Sequence, residues 1–181
     1  MKQAIILASG PSLTRGDAAV AMASGWPVIA VNSTWQMVPD CDVIYAGDPE
    51  WWAYWHARIL SPAQRWTCSP DAARRYGLHL HAARGVYNSG MRAIQFAAGQ
   101  GATRIILLGF DGSTALGTHW HGEHPAGLRN PSADSRWRWA KHFAQLRPLC
   151  DRVDIINCSR YTALTLFRRQ SLQAALTGER P

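Results

Sequence analysis

From Thr118 to Pro125 the chain reads Thr-His-Trp-His-Gly-Glu-His-Pro, so His119, His121 and His124, three of its seven histidines, fall within six residues. Imidazole titrates near neutral pH and is a common metal ligand, so one of these residues can act as a general base or all three can hold an ion. A third reading is a surface loop whose histidines pack on Trp120. The three readings stay open at this level.

The run approximates the T-H-x-H-x-D-H signature of metallo-β-lactamase-fold hydrolases, with Glu123 at the Asp position. That family is excluded. It needs repeated β-strands and further His and Asp ligands downstream, and after His124 only His142 remains, on a predicted helix.

A second group of candidates lies in short turns. Ser9-Gly10-Pro11-Ser12 follows the first apolar run, where an N–H-rich turn can cradle a phosphate. It is neither G-x-G-x-x-G nor G-x-x-x-x-G-K-[ST], so neither a dinucleotide fold nor a P-loop ATPase is supported. Asn32 follows the second apolar run. Asp48-Pro49 can bind a magnesium ion or a ribose, or Asp48 simply caps the next helix. Asn88-Ser89-Gly90 opens a predicted helix whose N-terminus favours anions, and Ser89 can equally be its N-cap. Asp111, after a later strand, carries the same two readings. Arg129, Arg136, Arg138 and Arg160 can neutralise phosphates or be plain surface charge. Trp51, Trp52 and Trp120 can stack on a base or sugar or belong to the core.

The elements that must position these residues follow from apolar runs broken by Gly and Pro. Lys2 to Ala8, Val28 to Val31, Asp42 to Ala46, Thr103 to Leu108 and Val153 to Asn157 read as strands. Trp66 to Ser69 and Leu78 to Ala82 are weaker candidates. Asp17 to Ser24, Ser89 to Gly99, Arg136 to Leu146, and Leu164 to Leu176 as a helix or pair of turns complete the pattern. Two-sided apolar strands alternating with helices predict a Rossmann-like doubly wound α/β domain, mainly parallel, with helices on both faces. In such sheets ligands bind at the carboxyl ends of the strands, where the turns named above converge. Thr114 to Ser132 is a loop long enough to suggest function.

Length and composition bound the reading further. At 181 residues, 47% apolar and 17% charged with nine tryptophans, the chain has the size and material of one packed domain. Nineteen Lys and Arg against twelve Asp and Glu give +7, which favours anionic partners, nucleic acid among them. All the basic residues except Lys2 and Lys141 are arginines. Cys41, Cys68, Cys150 and Cys158 show no C-x-x-C spacing, against a zinc ribbon or disulfide framework, and read as small buried hydrophobes. No eighteen-residue apolar run exists, and Ala4 to Leu7 is too short for a signal peptide, so no membrane and a cytoplasmic protein are expected.

Taken in order, these pieces resemble the Rossmann-like superfamily of 6-hydroxymethylpterin diphosphokinase-like proteins, which shares its motif order with family 42 sialyltransferases. The resemblance rests on Gly-Pro-Ser-Leu after the first strand, Val31-Asn32-Ser33, Gly47-Asp48-Pro49, Asn88-Ser89-Gly90, Ile105 to Gly112, the histidine loop and Ile155-Ile-Asn-Cys-Ser159. It covers roughly residues 3 to 168. Small bacteriophage proteins with a His-x-His-Gly-[Asp/Glu]-His-Pro loop look similar.

The sialyltransferase branch implies that Ser9, Gly10, Pro11, Ser12, Asn32, Asp48 and Ser89 hold a cytidine nucleotide sugar, with His119, His121 or His124 as general base. Gly90 and Asp111 join that nucleotide site by position. Ser9 and Asp48 stand where those enzymes carry Asn. An Asp at position 48 tilts toward the diphosphokinase branch, which implies a Mg²⁺–nucleotide. The expected function is therefore a nucleotide-dependent transferase, glycosyltransferase-like with a nucleotide-sugar donor. A Mg²⁺-dependent diphosphokinase and a non-catalytic nucleotide- or nucleic-acid-binding protein are the alternatives. No interleaved basic and aromatic stripe supports the last.

Overall fold

The computed structural model describes residues 1–132 and 134–178. Its strands are β1 (Gln3–Leu7), β2 (Val28–Val31), β3 (Val43–Tyr45), β4 (Gln64–Thr67), β5 (His79–Leu80), β6 (Arg104–Leu108), β7 (Asp154–Asn157) and β8 (Arg168–Arg169). The helices are α1 (Arg15–Ala23), α2 (Pro49–Trp55), α3 (Pro70–Tyr76), α4 (Ser89–Gly99), α5 (Ser135–Ala144), α6 (Arg147–Cys150) and α7 (Leu172–Thr177), with a 3-10 turn over Asn32–Gln36. The eight strands form one sheet in the order β5-β4-β3-β2-β1-β6-β7-β8, every pair parallel.

Alternation along the central strands builds a core on each face. Ile5, Leu7, Val28, Ala30, Ile106 and Leu108 turn to one side, where they meet Ala18 and Ala21 of α1 and Trp51 and Trp52 of α2. Ala4, Ile6, Ile29, Val31, Ile105 and Leu107 turn to the other, against Met91, Ile94 and Phe96 of α4 and Phe143 of α5. Strands covered on both faces have no polar side to show, which is why they read as unbroken apolar runs. The doubly wound α/β expectation is met.

The chain winds outward from β1 to β5, then α4 carries it back across the sheet to β6 on the far side of β1. The order therefore reverses between β1 and β6, and a crevice opens at their carboxyl ends.

Three expectations are corrected. The segment Leu164 to Leu176 is neither one helix nor a pair of turns, because Arg168–Arg169 forms the edge strand β8 before α7 begins. Both residues are exposed, so this strand carries no apolar signal, and Arg168 is held instead by Asp154 at 2.9 Å. The helix expected over Arg136 to Leu146 ends at Ala144, and α6 restarts at Arg147 with Pro148 in its first turn. Cys150 is half-buried, while Cys41, Cys68 and Cys158 are buried as expected. Among the described residues no helix is long and apolar enough to cross a membrane.

Candidate functional site

A cavity of about 300 Å³ lies at the carboxyl ends of β1, β2 and β6. Of the sequence-predicted residues it is lined by Ser9, Gly10, Asn32, Ser89, Gly90, Asp111, His119 and His124. Pro11, Ser12, Asp48 and His121 lie outside its wall. Five separate stretches of chain thus converge, as the strand-end topology requires.

The floor is the turn after β1, and its hydrogen bonds run inward. Gly10 N–H donates to Gly109 O at 2.9 Å, Leu13 N–H to Gly10 O at 3.0 Å, and Ser12 N–H to Asp111 Oδ2 at 2.9 Å. Pro11 has no N–H. The donors expected to cradle a phosphate are therefore engaged within the protein at Gly10, Ser12 and Leu13. Asp111 is 3% exposed, and burial pushes its carboxyl up against the opposing pull of its two bonds from Ser12. A side chain at position 10 would collide with that carboxylate and with Gly109 O, so only glycine fits there.

Anion-binding capacity shifts to α4. Its N-cap is Asn88, whose Oδ1 accepts Met91 N–H at 2.8 Å, so Ser89 is not the cap. Ser89 Oγ accepts Gly47 N–H at 3.1 Å, which fixes the helix start against the end of β3. The first-turn N–H groups of a helix have no partner within it, and Ser89 and Gly90 present that turn to the cavity. Arg129 lines the same cavity and adds a cation. Arg160 instead pairs with Asp17 at 2.7 Å, Arg138 donates to Ser135 Oγ at 3.0 Å, and Arg136 is exposed away from the cavity.

Asn32 stands at the end of β2 with φ 51°, the one non-glycine residue described in the left-handed region. Its Oδ1 is buried without a hydrogen-bond partner, at the cavity wall. A left-handed residue with an unsatisfied acceptor beside a cavity is a candidate for contact with a ligand or an ordered water.

The histidine loop forms the roof. Trp120 N–H donates to Ser9 O at 2.9 Å and its indole Nε1 to Thr34 Oγ1 at 3.4 Å, pinning the loop to the turns after β1 and β2. Gly122, at φ 82°, folds the chain back with its N–H on His119 O at 3.1 Å, and His124 N–H donates to Asn130 Oδ1 at 2.8 Å. The three imidazoles then sit together, with ring centroids 4.4 to 5.1 Å apart. His119 Nε2, His121 Nε2 and His124 Nδ1 are shielded from solvent and have no partner. Burial, then the neighbouring rings, depresses His119 to about 3 and His121 to about 4. Burial also lowers His124, but there the nearby Asp48 carboxylate opposes it. All three are neutral at pH 7.

Trp51 and Trp52 belong to the core. Trp51 Nε1 donates to Ser33 Oγ at 3.2 Å and Trp52 Nε1 to Ala46 O at 2.8 Å, both rings buried. Trp120 is partly buried and packs on the same core. Lining residues without a sequence signal are Asn130, Trp139 and Leu164. They enter the wall through the packing of the long loop, of α5 and of the segment between β7 and β8.

A Mg²⁺–nucleotide does not fit this donor set. Magnesium needs oxygen ligands, usually carboxylates. Both Asp111 oxygens hold Ser12, and Asp48 caps α2 through Glu50 N–H at 2.8 Å, outside the cavity wall. Compared with models of known protein families and with curated proteins, the chain matches none.

Proposed function

We propose that the chain is a nucleotide-dependent transferase, glycosyltransferase-like, that binds a nucleotide-sugar donor in the cavity between β1 and β6. One observation carries this reading: the Ser89–Gly90 start of α4 and the imidazole of His124 border the same cavity. Such a pairing suits a reaction that expels an anion while removing a proton. Asn32 Oδ1, an acceptor in want of a donor, suits the hydroxyl or amino group of a nucleoside. In the transfer an acceptor hydroxyl attacks the anomeric carbon, the bond from that carbon to the phosphate oxygen breaks, and the nucleotide leaves with the electron pair. The hydroxyl proton passes to the imidazole. His124 is the best placed of the three, since Asp48 supports its basicity and it lines the cavity. The Mg²⁺-dependent alternative lacks its carboxylates.

The test is a thermal-shift and calorimetric screen of nucleotides and nucleotide sugars in EDTA, followed by transfer assays with the donor that binds. Binding of one pyrimidine nucleotide sugar without metal, weakened in N32A and retained in H124A with loss of transfer, is the expected result. Stabilisation by Mg²⁺–ATP alone, or no saturable nucleotide binding, overturns the reading.

A further inference from the structure

We infer that His119, His121 and His124 form a mononuclear site for a zinc-class divalent cation in the roof of the cavity, with its open coordination position toward the cavity. One ring nitrogen from each residue lies within 4.8 Å of the other two. Two ligands on one tetrahedral zinc stand about 3.4 Å apart, given bonds of 2.0–2.1 Å, so a closure of up to about 1.4 Å through side-chain torsion completes the set. His119 Nε2, His121 Nε2 and His124 Nδ1 are the nitrogens left buried and unpartnered, a state that polar atoms rarely keep without a ligand.

The chemistry of the donors selects the ion. Imidazole suits zinc and its neighbours in the transition series, whereas magnesium and calcium require oxygens. Three protein ligands leave a fourth position, the arrangement of catalytic rather than structural zinc. Two of the three ligands, His119 and His124, line the cavity. The backbone bonds from Trp120 to Ser9 and from His124 to Asn130 Oδ1 hold the loop in that posture. With the ion bound, the basic lone pairs are committed to it. Water or an acceptor hydroxyl in the fourth position then loses its proton to solvent more readily, because the ion stabilises the resulting oxyanion. The site does not depend on a nucleotide; with the ion bound His124 is a ligand rather than a base, and its role as base in the transferase reading belongs to the metal-free protein.

The experiment titrates Zn²⁺ into EDTA-stripped protein by calorimetry and substitutes Co²⁺ to read its visible ligand-field bands. One ion per chain and intense tetrahedral cobalt bands are expected. H119Q, H121Q and H124Q should each weaken Zn²⁺ by about 100-fold or more, beyond what loss of an outer-shell partner gives. H79Q, at an exposed ring stacked on Trp66, should change nothing. Because a variant may lose the loop's fold, ring-nitrogen NMR of the wild-type protein is the second measurement: Zn²⁺ should shift three histidines and leave the other four. No binding, several weak ions that persist in the variants, equal response to Mg²⁺, or shifts at other histidines overturn the site. Nucleotide binding is measured separately in EDTA, so failure of one reading leaves the other standing.

Discussion

Ser12 and Asp111, ninety-nine residues apart in sequence, are joined twice: Ser12 N–H reaches Asp111 Oδ2 at 2.9 Å and Ser12 Oγ reaches Oδ1 at 2.5 Å. The pair rivets the turn after β1 to the turn after β6 across the switch point of the sheet. In D111A two buried donors lose their acceptor, which costs about 1–3 kcal/mol. D111N keeps one carbonyl oxygen and should fall between D111A and the wild type. Urea unfolding of the three proteins checks the order, and a D111A protein as stable as the wild type would show that the rivet carries no load.

Asn32 holds a left-handed backbone with an unsatisfied buried oxygen, so its substitutions should separate an effect on stability from an effect on binding. Glycine adopts φ 51° freely. N32G should stay within about 1 kcal/mol of wild-type stability, relief of strain offsetting the added freedom of the unfolded chain. Its affinity for the bound nucleotide sugar should drop about tenfold, the scale of one lost hydrogen bond. N32A should lose the same affinity and keep the strain, making it the less stable of the two. Equal affinity in all three proteins would remove Asn32 from the site.

Sheet and site were legible in the sequence to different depths. β1, β2 and β6 are covered on both faces and so could only be apolar, which made them visible and placed the turns after them. β8 was invisible because an exposed edge of two arginines has no apolar face to show. The turn after β1 was placed correctly, but where its N–H groups point depends on Gly109 and Asp111, about a hundred residues away. The clustering of His119, His121 and His124 was local and readable. That their ring nitrogens are buried, and that Trp120 anchors the loop, depends on contacts with Ser9 and Thr34.

Trp120 gives the loop its hold on the fold, packing on the core while its indole N–H reaches Thr34. W120A removes a half-buried ring at a cost on the order of 2 kcal/mol, below that of a fully buried one. The larger effect should be local. Tryptic cleavage after Arg129 should accelerate under native conditions, because the roof opens without global unfolding. Mass spectrometry of timed digests reads this directly, and a W120A digest that matches the wild type would mean the backbone bond to Ser9 is sufficient by itself.

Tyr45 and His81 supply a pH-dependent component of stability away from the site. The fully buried Tyr45 ring places its hydroxyl 2.8 Å from His81 Nδ1, at the junction of β3 and the end of β5. Burial, aided by the Arg92 charge, holds His81 below its ordinary 6.5. The unfolded chain therefore takes up a proton below pH 6.5 that the folded chain refuses, and protons bound to the unfolded state favour unfolding. His81's contribution is complete above pH 6.5 and fades as pH falls from 6.5 through the lower folded value. H81A should cost about 1–3 kcal/mol at pH 7.5, where it strands a buried hydroxyl. The gap between H81A and wild type should narrow by pH 5, since the variant no longer pays for a proton withheld. Urea midpoints of both proteins across that range test the sign: a gap that widens on acidification would mean His81 is charged in the fold.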